Sequence, residues 1–235
     1  MKVWNWEGFW SYFTNLYLLE GALWTIGLTI STLVLGGLIG LLLAVMRLSR
    51  HKALSRAAQV YIWIFRGTPL LVQLIIIYTG LPQLGLVRFN VVQSAIIGLA
   101  LNEAAYLSEI LRGGILSVAK GQSEAARALG LKPFQIFRLV VMPQALRVII
   151  PPLGNSVNGL LKTTSIASVI SMEEVLRRGQ ILMQQKFQIL EVFMVVAILY
   201  LAMTTAWDFV QRRIEAHFGK AYGPASDQQL ARDDR

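Results

Sequence analysis

Few residues in this chain of 235 could do chemistry, and the most unusual is a carboxylate, Glu103. It lies near the middle of an apolar stretch over residues 91–111, next to Asn102 and close to Tyr106. A carboxylate inside a bilayer costs several kcal/mol unless it is protonated, paired or in contact with water. Lys162 is a cation in a second apolar stretch, over residues 146–170. Both side chains are therefore candidates for a functional role inside a membrane.

The chain lacks the residue sets that the common classes of enzyme need. It has no cysteine, which excludes disulfides and thiolate metal sites, and its two histidines, His51 and His217, lie outside the apolar stretches. It contains no Gly-x-x-x-x-Gly-Lys-Ser/Thr loop, no Gly-x-Ser-x-Gly and no His-Glu-x-x-His. We therefore expect no catalytic residues, no metal site and no cofactor in this chain, and we do not expect an enzyme.

The composition is that of a membrane protein. Hydrophobic residues make up 55% of the chain and charged residues only 15%. A net charge of +9 could suggest a nucleic-acid partner, but the basic residues border apolar stretches and do not cluster in one arm. The bilayer explains this distribution better, and we expect no nucleic-acid partner.

The apolar stretches predict five membrane spans, at about residues 21–46, 59–81, 91–111, 146–170 and 191–209. An aromatic segment, residues 1–19, suits the membrane interface, and residues 214–235 form a polar cytoplasmic tail. A basic cluster directly after the first span, from Arg47 to Arg56, places that end in the cytoplasm. The N-terminus is therefore predicted outside and the C-terminus inside.

The loop between the third and fourth spans, residues 115–143, reads as two short helices around a bend. Gly130 suits a helix end in the left-handed conformation, and Pro133 suits the first turn of the next helix. Pro143 should end that second helix or bend it. The loop could dock into a groove of a partner protein, or it could be an amphipathic connector that lies on the lipid surface. Its residues alone favour neither.

Polar residues also interrupt the second and fourth spans. Pro69 should kink the second span, with Thr68 satisfying freed carbonyls, while Arg66 either snorkels to the headgroups or has a function. The fourth span is too polar to face lipid all round, so it should face other helices or line a polar path, with breaks in its backbone. Its polar side chains include Asn155, Ser156, Asn158, Lys162, Thr163, Thr164 and Ser165.

Four runs of sequence carry a resemblance to a known family. Glu124-Ala125-Ala126, Gly130 and the Val140-Val141-Met142-Pro143 end resemble the signature loop of ABC importer permeases, with Val140 and Met142 where the pattern usually has Ile and Leu. The run from Phe65 to Gln73, which includes Arg66, Gly67, Thr68 and Pro69, is similar to the polar amino acid subfamily. So are the runs over residues 105–115 and 160–166. The resemblance covers about residues 20–215.

This resemblance implies an all-α integral membrane protein, a five-span helical bundle of the type-1 ABC importer permease fold with a cytoplasmic coupling helix loop. The membrane domain would cover residues 20–213, in the inner membrane of a bacterium. The implied partners are two copies of an ABC ATPase subunit, which use ATP and Mg, a second permease chain (identical or a sister) and an extracytoplasmic solute-binding protein. The loop residues implied to contact the ATPase are Glu124, Ala125, Ala126, Gly130 and Pro143.

The implied substrate is a polar amino acid or a related small zwitterionic solute. Many relatives with cationic substrates have acidic residues at the positions of Ser156 and Thr163, and their absence argues against a cationic substrate. Glu103 and Lys162 either pair with each other or meet opposite charges on a solute passing between the third and fourth spans. An ATP-independent channel or secondary carrier would also show these two charges and is the alternative function. The predicted substrate path comprises Asn102, Glu103, Tyr106, Asn155, Ser156, Asn158, Lys162, Thr163, Thr164 and Ser165.

Overall fold

The computed structural model describes residues 4–219, and all regular structure in that range is helical. The helices are α1 (Trp6–Phe13), α2 (Leu16–Leu48), α3 (Lys52–Gly67), α4 (Leu70–Ile75), α5 (Leu81–Gln83), α6 (Val91–Leu116), α7 (Lys120–Ala128), α8 (Pro133–Ile136), α9 (Met142–Thr163), α10 (Val175–Lys186) and α11 (Ile189–Gly219). Two π-helical turns, Ile76–Gly80 and Phe137–Val141, join α4 to α5 and α8 to α9.

Four helical stretches among the described residues are long and apolar enough to cross a membrane, and a fifth exists if one bent pair counts as a span. These stretches are Leu16–Leu48, Val91–Leu116, Pro133–Ile170 and Ile189–Phe218, with Lys52–Gly67 and Leu70–Gln83 as the bent pair. The predicted all-α, multi-span class is confirmed. The helices run past several predicted ends: residues 16–19 and 214–219 are helical, while 220–235 lie outside the described residues.

Two glycines bring α2 and α6 close together. A Cβ added at Gly36 would lie 3.1 Å from the carbonyl oxygen of Ala100, and one at Gly40 would lie 3.0 Å from that of Ala104. Small residues at such contacts allow the close backbone approach on which helix packing in membranes depends. Gly37 faces away from the bundle, where a Cβ would meet no atom within 4 Å.

The second span is broken at Pro69 and not merely kinked. The axes of the two helical segments, α3 and α4–α5, differ by 102°. Proline cannot donate a backbone hydrogen bond, and it pushes the preceding residue, Thr68, into an extended conformation. The hydroxyl of Thr68 donates to the carbonyl of Ile64 at 2.8 Å, so the predicted role of this threonine is confirmed.

The loop between the third and fourth spans has the predicted bend. Gly130 has φ +80°, its N–H donates to the carbonyl of Arg127 at 2.9 Å, and that of Leu131 donates to Ala126 at 3.2 Å. These are the paired bonds of a left-handed helix end. The prediction that Pro143 could end the second helix is wrong, because a π-helical turn lets the chain continue from α8 into α9. Pro143 lies just after that turn, in the interior of one continuous helical stretch.

The fourth span lacks the predicted breaks in its α-helical backbone. Its α-helix passes through Pro151 and Pro152 without a break and tightens into a 3₁₀-helix only at Thr164–Ile170. The long helix therefore joins the loop to the far side of the bundle as one continuous stretch.

A buried carboxyl group anchors α10, the helix between the last two spans. Glu174 is fully buried and accepts hydrogen bonds from the N–H of Leu176 at 3.0 Å, the N–H of Arg177 at 2.8 Å and the hydroxyl of Tyr200. Burial raises the pKa of the Glu174 carboxyl above its usual value, and these three hydrogen bonds oppose the shift only in part. A carboxylate at this helix N-terminus thus ties α10 to α11.

We predict that this buried carboxylate makes the stability of the protein fall with rising pH. Because its pKa is higher in the folded state, the folded protein holds a proton that the unfolded chain has lost, and stability declines as pH rises through that interval. Glu174→Gln retains an acceptor oxygen but cannot ionise. Its melting temperature in detergent should therefore decline less than that of the wild type from about pH 4.5 to pH 8.

Glu7→Gln, at an exposed carboxylate of α1, is the control and should keep the wild-type pH dependence. Parallel curves for the wild type and Glu174→Gln would show that folding does not raise the pKa of the Glu174 carboxyl.

Candidate functional site

A cavity of about 1090 Å³ opens between the α3–α4 break, α6 and α9. Most of the polar residues singled out in the sequence line it, and each of the three walls contributes some of them. These residues are Arg66, Gly67, Thr68, Pro69, Asn102, Glu103, Tyr106, Asn155, Ser156 and Thr163. The cavity is therefore the place where the predicted substrate path and the motif of the second span meet.

Two amide side chains hold the broken backbone that forms one wall. The carbonyl of Phe65 accepts from Gln73 Nε2 at 3.0 Å and from Asn102 Nδ2 at 3.1 Å. Asn102 also donates to Gln73 Oε1 at 3.1 Å, and Gln73 Nε2 lies 2.8 Å from the Thr68 hydroxyl. A backbone carbonyl without a partner is costly in a membrane, so this network makes the break possible.

Glu103 is buried in the adjoining wall and accepts a hydrogen bond from the hydroxyl of Ser156 on α9. No salt bridge between described residues joins it to Lys162. Lys162 is exposed on another face of α9, in a cleft of about 460 Å³ beside Tyr200 and Thr204 of α11. The predicted alternative of a Glu103–Lys162 pair is therefore wrong, and Lys162 does not line the cavity.

The cavity wall also carries positive charge. The guanidinium of Arg66 lies 5.2 Å from the centroid of the Tyr106 ring, within the range of a cation–π contact. Glu109 and Arg112 pair at 2.7 Å, and Arg47 approaches Glu109 at 3.6 Å. Arg66 and Glu103 thus place a guanidinium group and a carboxyl group on the walls of the same cavity. Among residues 4–219, no three His, Asp or Glu side chains are grouped so as to hold a metal ion.

Three further residues of the predicted path do not line the cavity. Thr164 is buried and donates to the carbonyl of Leu161 at 2.9 Å, and Ser165 donates to that of Lys162 at 2.6 Å. Asn158 turns to α11, where its Nδ2 donates to Asp208 Oδ1 at 2.6 Å. Sequence reasoning missed Asp208, although a carboxylate at the end of an apolar stretch is itself a signal.

The bend between α7 and α8 presents apolar side chains on a polar background. Leu129 is 83% exposed and Phe134 is 71% exposed, while Ala126 of α7 and Ile136 of α8 are buried. Glu124 and Ala125 also lie on the exposed surface. Large exposed apolar side chains at a compact bend are typical of a contact surface for another protein.

A model of the family of binding-protein-dependent transport system inner membrane components matches residues 36–220. The chain belongs to this family. It is the permease subunit of an ABC importer, a multi-pass protein of the bacterial inner membrane and not an enzyme. Membership implies ATPase and solute-binding partners, and it excludes the alternative of a channel or secondary carrier.

Curated relatives cover nearly the whole permease. It is 38% identical to the arginine transport system permease protein ArgU of Corynebacterium glutamicum, over 93% of this chain and 73% of the relative. It is 38% identical to the putative glutamine transport system permease protein GlnP of Rickettsia prowazekii, over 85% of this chain and 92% of the relative. It is 36% identical to the probable amino-acid permease protein YxeN of Bacillus subtilis, over 94% of this chain and 99% of the relative.

Solved structures confirm the fold. The permease superposes on a chain from the crystal structure of an amino acid ABC transporter with histidines, with a TM-score of 0.85 and 35% identity, over 92% of this chain and 100% of that one. It also superposes on a chain of the MetNI methionine ABC transporter in an inward-facing conformation, with a TM-score of 0.72 and 22% identity, over 86% of this chain and 96% of that one. At this identity, the second superposition shows only that the fold is shared.

Proposed function

We propose that this permease carries a polar amino acid, or a related small zwitterionic solute, through the cavity between the α3–α4 break, α6 and α9. The observation that carries this proposal is the pair of groups on the cavity walls, the guanidinium of Arg66 and the carboxyl of Glu103. A zwitterion can meet both, with its carboxylate towards the guanidinium and its ammonium towards the carboxylate. The names of relatives, which include arginine and glutamine permeases and an amino acid transporter, support the same class of substrate.

Neutral polar amino acids are the favoured members of that class. Ser156 and Thr163 line the cavity as neutral hydroxyls, and Ser156 already donates to Glu103. A second positive charge on the solute would find no carboxylate at either position, and Glu109, which also lines the cavity, is already paired with Arg112.

Movement of the solute would be driven by ATP and Mg bound to the ATPase partner. The exposed bend around Gly130, with Glu124, Ala125 and Ala126 on one side and Pro143 on the other, is the proposed contact with that ATPase. ATP binding would close a dimer of ATPase subunits, move the bend, and exchange inward for outward access in a pair of permease chains. The continuity of α8 with α9 supports this route, because α9 carries Asn155 and Ser156 in the cavity wall.

The proposed orientation places the N-terminus outside and the bend in the cytoplasm. Its support is the distribution of basic residues, with Arg47, Arg50, Lys52 and Arg56 directly after the first span. The helix α10 then lies on the outer side, where the solute-binding protein would dock.

A first prediction concerns coupling at the bend. Gly130→Val places a β-branched residue at φ +80°, a conformation that costs such residues about 1–3 kcal/mol. The assembled complex should insert normally but lose stimulation of ATP hydrolysis by the loaded binding protein. Gly37→Val is the matched control, because Gly37 faces open space and is not among the residues with positive φ. Full stimulation in Gly130→Val would remove the bend from its proposed role.

A second prediction concerns orientation. The chain has no cysteine, so a single introduced thiol reports its own side of the membrane. Gln184→Cys, exposed on α10, should react with an impermeant thiol reagent added to intact cells, and Gln122→Cys, exposed on α7, should not. The reverse pattern would overturn the orientation and the coupling proposal together.

A third prediction concerns the substrate path. Glu103→Gln keeps an acceptor for the Ser156 hydroxyl but removes the charge, so the variant should insert and assemble yet lose uptake or change its selectivity. Uptake of labelled amino acids into reconstituted vesicles measures this, with Glu7→Gln on the exposed surface of α1 as the control. Wild-type uptake and selectivity in Glu103→Gln would defeat the proposed path.

A further inference from the structure

The fourth span carries a second set of polar contacts, on the side that faces α11. Trp207 Nε1 donates to the carbonyl of Gly154 at 2.8 Å, and Asn158 Nδ2 donates to Asp208 Oδ1 at 2.6 Å. Gln211 Nε2 donates to Asn155 Oδ1 at 3.3 Å. Three side chains from one turn of α11 therefore hold a single turn of α9.

The two helices meet here at very short range. A Cβ added at Gly154 would lie only 2.4 Å from Cδ of Gln211. Glycine at this position thus allows Gln211 to reach across to Asn155, and Glu215 holds the same Nε2 atom at 2.8 Å. The contact between α9 and α11 therefore depends on the backbone of α9 at Gly154 as well as on the side chains of α9.

The segment that is held has weak support from its own helix. Pro151 and Pro152 cannot donate the helical hydrogen bonds to the carbonyls four residues before them. On the other side, α9 gives way to the 3₁₀-helix Thr164–Ile170. The α-helix therefore lacks two backbone hydrogen bonds just before the turn that carries Asn155 and Ser156, and it changes to a 3₁₀-helix about two turns after it.

We propose that Trp207, Asp208 and Gln211 are positioning residues, which we name the α11 clamp, and that they fix the rotation of α9 about its axis. Ser156 faces the cavity while Asn158 faces α11, and Asn155 touches both. Rotation by one residue is about 100° and would turn Ser156 away from Glu103. The inference rests on the proposed function of the cavity, because the clamp acts on transport only through residues that line it.

The central experiment compares two substitutions of Asp208 in the assembled importer. Asp208→Asn keeps an oxygen that accepts from Asn158, whereas Asp208→Leu does not. Asp208→Leu should lower maximal uptake about tenfold at an unchanged level in the membrane and unchanged basal ATP hydrolysis, while Asp208→Asn stays near the wild type. Thr205→Val, at an exposed position of α11, is the control. Equal uptake by Asp208→Leu and Asp208→Asn would overturn the clamp.

A double-substitution cycle tests whether the clamp acts through the cavity. Gln211→Leu should lower uptake in the wild-type background and cause no additional loss in Asn155→Ala, because the residue that it positions is then absent. Additive losses would overturn the proposed positioning. An Asn155→Ala variant with wild-type uptake would remove Asn155 from the substrate path and overturn the action of the clamp through it.

Thiol labelling measures the rotation without any transport. Gly159 lines the cavity, and a Cβ there would meet no atom within 4 Å, so Gly159→Cys adds a single thiol without a clash. A hydrophilic thiol reagent should label it several-fold more slowly when Asp208→Leu is added, and at an unchanged rate when Asp208→Asn is added. An unchanged rate with Asp208→Leu would show that α9 keeps its rotation without the clamp.

Discussion

The structure depends on a carbonyl that must find donors inside a membrane. The break at Pro69 frees backbone groups of the second span, and an unsatisfied group in hydrocarbon costs several kcal/mol. The carbonyl of Phe65 is satisfied by Gln73 from beyond the break and by Asn102 from α6. Because Asn102 precedes Glu103 on α6, the contact that satisfies the break also sets the cavity wall. The polar residues of the second and third spans therefore form one structural unit.

The continuity of the fourth span gives this unit a mechanical connection to the exposed bend. A proline in the interior of a helix usually kinks or ends it. At Pro143 the preceding π-helical turn absorbs the mismatch, and Gln144 Nε2 donates to the carbonyl of Val140 at 2.9 Å. In the proposed mechanism, a displacement of α8 would pass to α9 along a single helix, which passes the cavity before it reaches the 3₁₀-helix.

Local features of the sequence were predictable because they depend on neighbouring residues only. The left-handed Gly130, the helical α10, the carbonyl contact of Thr68 and the Glu109–Arg112 pair all follow from short-range chemistry. The size of the break at Pro69 could not be predicted from neighbouring residues, because it depends on hydrogen-bond donors from α6. The assignment of Asn158 to the cavity was avoidable: it lies two residues from Ser156, about 200° around the helix, so both could not face one cavity.

The surroundings of Glu103 leave part of its hydrogen-bonding capacity unused. An ionised carboxylate can accept about four hydrogen bonds, and the Ser156 hydroxyl supplies one donor. No salt bridge reaches Glu103 from residues 4–219, and Arg66 stands over the Tyr106 ring on the cavity wall. A carboxylate fully neutralised by its own chain would have little left to offer a passing ammonium group. Partial satisfaction by one hydroxyl leaves acceptor capacity directed at the cavity, and this supports the proposed path more strongly than a buried ion pair would.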